Sequence, residues 1–199
     1  MASPQTALDP SIRPSFAGVG KRVAAYLLDL LIAACVLIVA AVTMRTLRAL
    51  ALWTPAFMGE PEQTWRALGV GAKLAVVSAF VVSGGAIYLT LFEASPWQAP
   101  FGKRILKIYV TDNAGRRISL ARSFGRWLAM WSFGLFGGSL VSLITILTTT
   151  EKKALHDFAS GTVVLSGRPT PGGNLEAWRI AAAFGISLLW IIGTFIATM

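Results

Sequence analysis

Four stretches of this chain are almost free of polar residues: Val23–Met44, Gly69–Phe92, Trp127–Leu147 and Ile180–Met199. Each approaches or exceeds the roughly 20 residues an α-helix needs to cross a ~30 Å hydrocarbon layer. A soluble domain of 199 residues cannot bury that many helices that are apolar all round. The pattern predicts an all-α integral membrane protein with about four hydrophobic helical segments. The third contains "FGLFGGS", and Gly134, Gly137 and Gly138 permit a sharp bend there. It is either one full span or a re-entrant hairpin that returns to the side it left.

The polar stretches between these runs set the organisation. Residues 1–15 carry Pro4, Pro10 and Pro14 and read as a flexible tail. Residues 45–68 read as a loop in which Arg45, Arg48 and Arg66 nearly cancel Glu60 and Glu62. The stretch 95–126 is different, with seven bases (Lys103, Arg104, Lys107, Arg116, Arg117, Arg122, Arg126) against one acid, Asp112. Such an excess beside membrane helices predicts the cytoplasmic side, and two intervening helices put the N-terminus there too. Within it, "ILKIYVTDNAGRRIS" reads as a short cytoplasmic β-hairpin, with Gly115 available for positive φ. If "GTVVLS" at 161–166 pairs with "ILKIYV" instead, both must lie on one side of the membrane. Ser119 is placed to cap an interfacial amphipathic helix, with Arg122 and Arg126 on one face and Leu120, Phe124, Trp127, Leu128 and Trp131 on its apolar side.

Composition narrows the function classes. The net charge of +9 would suggest nucleic acid in a soluble protein. Here the bases flank apolar helices, which points to topology and anionic lipids, and nucleic acid is not an expected partner. The first apolar run is too long for the core of a cleaved signal and lacks a small-residue cleavage site, so it is expected to remain. A single cysteine, Cys35, excludes an internal disulfide, and one histidine, His156, excludes a histidine-rich metal site. There is no G-x-S-x-G, and "GVGAKL" at 69–74 lacks the spacing of a phosphate loop. No catalytic residue, metal or cofactor is expected.

One residue interrupts the first apolar run: Asp29. A charge at mid-membrane costs roughly 2.5–3.5 kcal/mol even on the lenient insertion scale, so Asp29 needs a partner. Arg22 shares its helix face but lies about 10.5 Å away along the axis, beyond an ordinary ion pair. The candidate cations are Arg104, Arg122, Arg126 and Lys73. Asp29 then either fastens the basic segment to the first helix or binds a proton or cation.

Three fragments, in order, carry a resemblance: "RVAAYLLD" with Arg22 and Asp29, "FGKRILKIYV" followed by "DNAGRRISLARSFGR", and "ALHDFASGTVV". Together they resemble the RDD family of small polytopic membrane proteins, named for an arginine and two aspartates, which Arg22, Asp29 and Asp157 match. The similarity covers about 16–167, leaving 168–199 as a linker and an additional C-terminal transmembrane helix. The resemblance implies a multi-pass protein of a bacterial cytoplasmic membrane with one of two roles. One is a non-catalytic module that assembles or positions partner membrane proteins, or copies of itself. The other is a small transporter or cation/proton exchanger using Asp29. Asp157 is expected to cap a helix or pair with an arginine of 103–126. His156 is a candidate pH sensor or a bracing hydrogen-bonder. Lys103, Arg104, Lys107, Arg116 and Arg117 are candidate contacts to anionic lipids.

Overall fold

In a computed structural model of the chain, residues 15–49, 67–169 and 177–198 are described. The expected tail up to residue 14 and most of the 45–68 loop lie outside them. The first apolar run forms α1 (Val19–Ala49), which absorbs residues 45–49 of the expected loop, and the second forms α2 (Val70–Ala94). Both are long and apolar enough to cross a membrane. A one-turn helix α3 (Phe101–Ile105) leads into strand β1 (Ile108–Asp112). Then come α4 (Leu120–Leu135), α5 (Gly138–Thr148), the short α6 (Leu155–Ser160), strand β2 (Thr162–Ser166) and α7 (Ala177–Thr198).

The third apolar run is broken. Helices α4 and α5 meet at 115°, with Gly137 at φ +74 in the corner. A residue with a Cβ is strained in that conformation. Ser119 caps α4 as its position predicts, its Oγ accepting the Arg122 N–H at 3.2 Å.

The sheet corrects the expected local hairpin. Strand β1 pairs antiparallel with β2, with Ile108 opposite Ser166 and Asp112 opposite Thr162. The predicted turn does form: Asp112 Oδ1 accepts N–H bonds from Ala114 and Arg116, and Gly115 takes φ +75. The chain beyond that turn, however, runs to the Ser119 cap. The β-branched residues that fill the ladder come instead from Thr162, Val163 and Val164. On the far side of β2, Ala17 N–H donates to Val164 and Ser166 N–H donates to Ser15. Ala17, Ala25, Ile108, Val110, Ile118 and Val164 form the buried core beneath. Because β1 and β2 are neighbours, the chain between them returns to the sheet it left.

Helix α7 runs antiparallel to α2. Phe184 packs edge-on against Phe92 at 5.2 Å between ring centroids, and Trp190 lies 5.9 Å from Phe80. Phe184 also meets Trp97 and Phe101, so one aromatic cluster ties α7 to α2 and α3. The start of α1, the end of α2 and the start of α7 therefore share one end of the molecule. The sheet and α3 occupy that same end.

Candidate functional site

That shared end holds a buried ionic network with one residue from each of five helices: Arg22 on α1, Glu93 on α2, Lys103 on α3, Arg126 on α4 and Asp157 on α6. Arg126 sits at the centre, 6% exposed. Its Nη1 donates to both oxygens of Glu93, at 2.6 and 2.7 Å. Its Nε and Nη2 donate to Asp157 Oδ1 at 3.0 and 2.9 Å. A planar guanidinium suits this double fork, which a lysine could not make.

Each carboxylate has further donors. Lys103 Nζ meets Glu93 Oε1 at 2.5 Å, and Ser123 Oγ lies 3.5 Å from Oε2. Asp157 Oδ2 accepts from Arg22 Nη1 at 2.5 Å and from the Ala154 N–H at 3.1 Å, which ties down the start of α6. Arg22 spends its other donors on main-chain carbonyls, Nε on Ala17 and Nη2 on Lys152. Burial alone would raise the Asp157 carboxyl, but Arg126, with Arg22, holds it well below the usual carboxylate range.

Asp29 is 8% exposed, and its partner is not a cation. Its Oδ1 accepts the Gly102 N–H at 2.7 Å and the Tyr88 hydroxyl at 2.7 Å. The Tyr88 oxygen in turn accepts the Phe101 N–H at 2.9 Å. The first N–H groups of any helix lack partners inside it. Asp29 and Tyr88 supply them for α3 from two other helices. The carboxylate is also in the field of Lys103, the residue after Gly102. Counting it with the network gives three carboxylates against three cations.

The four expected cations go elsewhere. Arg126 is committed to Glu93 and Asp157. Arg104 turns outward, its guanidinium 4.2 Å from the centre of the Trp97 ring. Arg122 approaches Asp112 at 3.8 Å. Lys73 is in the first turn of α2, about 30 Å along that helix from Glu93. A glycine N–H met Asp29's requirement because α3 packs so closely against α1 that its backbone is within reach.

His156 Nε2 lies 3.5 Å from Asp157 Oδ1. Burial, with Arg126 close by, pushes its imidazole down to about 4. That direction favours the neutral ring, which stands beside Asp157 as a brace. Among the five bases expected to meet lipid, Lys103 is instead interior on Glu93, and Arg116 donates to Asp112 at 2.9 Å. Arg117 is half-buried, while Arg104 and Lys107 are exposed. The residue that sequence reasoning missed is Glu93, 2% exposed. It closes an apolar helix and so reads as an interfacial end; its partners are 10 and 33 residues away. Among the described residues, no three of His, Cys, Asp or Glu converge as a set that could hold a metal ion.

The pattern that defines the RDD family matches residues 16–161, which takes in every member of the network. A relative in Bacillus subtilis (strain 168), described as "Uncharacterized protein YxaI", is 30% identical over 115 residues, 58% of this chain and 73% of the relative. No solved structure matches the chain.

Proposed function

This chain belongs to the RDD family, and from that premise we propose that it is a non-catalytic membrane module that assembles or positions partner membrane proteins, or copies of itself. One observation carries the reading. Three buried carboxylates at the shared end are already engaged in joining helices: Glu93 and Asp157 to Arg126, and Asp29 to α3. Buried pairs of this kind hold an arrangement more than they add net stability. In an exchanger, a cation on Asp29 would compete with the Gly102 N–H and the Tyr88 hydroxyl, both held by its Oδ1, for the same negative charge. Those two bonds join α3 and α2 to α1.

The basic excess supports placing the sheet and the start of α1 on the cytoplasmic side of a bacterial inner membrane. The β1–β2 pairing supports a re-entrant path for α4 and α5, since the chain comes back to the same sheet. Helix α7 then provides a further crossing beside α2. The apolar faces of α1 and α7 that the bundle leaves uncovered, including Leu30, Leu31, Leu188 and Leu189, are open to lipid or to another protein.

Chemical cross-linking in native membranes, followed by purification in a mild detergent, tests the assembly role. A defined homo-oligomer or a stoichiometric partner membrane protein is expected. A monodisperse monomer with no cross-linked species would count against it.

A further inference from the structure

Helix α3 and the residues after it expose three cationic or apolar side chains within four positions of the chain. Lys103 points inward to Glu93, whereas Arg104, Ile105 and Lys107 are exposed, Ile105 at 58%. Depth places this group. Gly102 packs against Ala25 and Asp29 of α1, and Phe101 bonds to Tyr88 of α2. Ala25 and Tyr88 each lie six residues inside the shared-end terminus of their helix, about 9 Å along the axis. Helix α3 therefore runs at the boundary between headgroups and hydrocarbon. A long basic side chain leaving that level reaches the phosphate layer by extending outward.

Two features prepare the bases for a ligand. The Arg104 guanidinium lies over Trp97, its Cζ 4.2 Å from the ring centre, a cation–π contact that holds the cation in place while the side chain stays exposed. Among the described residues no carboxylate forms an ion pair with Arg104 or Lys107. Lys107 has φ +53, a left-handed backbone in which glycine would be relaxed. The conformation is held from both sides: its N–H donates to the Arg104 carbonyl at 3.1 Å, and its carbonyl accepts the Gly167 N–H at 2.7 Å.

We propose that Arg104 and Lys107 form a binding site for the phosphate headgroup of an anionic phospholipid, with Ile105 entering the adjacent acyl region. The site rests on the membrane setting alone and does not depend on the assembly role. Its chemistry is charge complementarity at a defined depth. The forked donors of Arg104 take the phosphate oxygens, and Lys107 supplies a second positive charge.

The test is thermal unfolding of the full chain in a neutral detergent, with short-chain phosphatidylglycerol, phosphatidylcholine or inorganic phosphate added. Phosphatidylglycerol is expected to give a saturable rise in melting temperature; the other two are expected to give none. Replacing both bases, Arg104→Gln with Lys107→Gln, should weaken the phosphatidylglycerol effect about thirtyfold, from two lost surface cations. Arg116→Gln, a base already turned onto Asp112, should leave it intact. Lys107→Gln alone, exposed and outside the buried network, provides a partial loss should the double variant fold poorly. Equal stabilisation by phosphatidylcholine or by free phosphate would overturn the site. So would full retention in the Lys107→Gln or double variant, or equal loss in Arg116→Gln.

Discussion

Arg126→Leu is expected to remove the protein from the membrane fraction. Leucine fills much of the space but leaves Glu93 and Asp157, 2% and 0% exposed, without the group that joins them. Glu93 keeps Lys103 and Asp157 keeps Arg22, so neither carboxylate is wholly abandoned. The bridge between α2, α4 and α6 is nonetheless gone. Breaking a buried pair from one side costs about 3–5 kcal/mol, a large share of the 5–15 kcal/mol by which folded domains are typically stable. Arg126→Lys should be milder, since one ammonium can serve one carboxylate but not fork into both. Membrane abundance and melting temperature in detergent give the ranking: wild type, then lysine, then leucine. A double-mutant cycle with Glu93→Gln checks the cause, because two changes acting through one bridge are not additive.

Gly102→Ala is expected to have a comparable effect through sterics. A Cβ there would stand 2.1 Å from the Ala25 carbonyl oxygen, 2.8 Å from Asp29 Cγ and 2.9 Å from the Asp29 nitrogen. Two of those atoms are main chain of α1, so moving a side chain cannot relieve the clash. Helix α3 must retreat, and the Gly102 N–H loses Asp29. Overpacking costs about 1–3 kcal/mol, and a lost hydrogen bond to a charged acceptor adds about 1.5–3 kcal/mol. Gly125→Ala is the internal control: it lies within α4, and a Cβ there meets nothing within 4 Å. Alanine at 125 should be neutral or stabilise by up to about 1 kcal/mol. A melting curve for each variant distinguishes close packing at one glycine from a general intolerance of change.

How much of this was legible in the sequence depends on the range of the interaction. The apolar runs, the Ser119 cap and the Asp112–Arg116 turn are local, and the sequence contains them. The Arg22–Asp157 pair spans 135 residues, yet the family resemblance marked both members. Glu93 carried no such mark, and only the packing of α2 against α4 reveals it. Lys103 illustrates the opposite difficulty. It stands in a run of bases that reads as a surface, and the single turn of α3 rotates it inward while its neighbour Arg104 faces out. For Asp29 the residue types point to a cation, whereas the groups that meet its Oδ1 are a main-chain N–H and a tyrosine hydroxyl. A main-chain N–H has no signature in a list of residue types, except that Gly102 allows the approach.

The buried acids are held here to fasten helices together and not to carry ions, and Asp29 separates the two roles most cleanly. In Asp29→Asn, an amide oxygen in place of Oδ1 still accepts the Gly102 N–H and the Tyr88 hydroxyl, but the side chain can no longer take up or release a proton. The decisive measurement compares wild type and Asp29→Asn, reconstituted at equal protein content into vesicles carrying a pH-sensitive dye. The variant is expected to reach the membrane in near-normal amount, and cation-driven proton movement is expected to be the same for both proteins. Normal abundance of Asp29→Asn, together with loss of a cation-dependent proton flux that the wild type supports, would contradict that expectation.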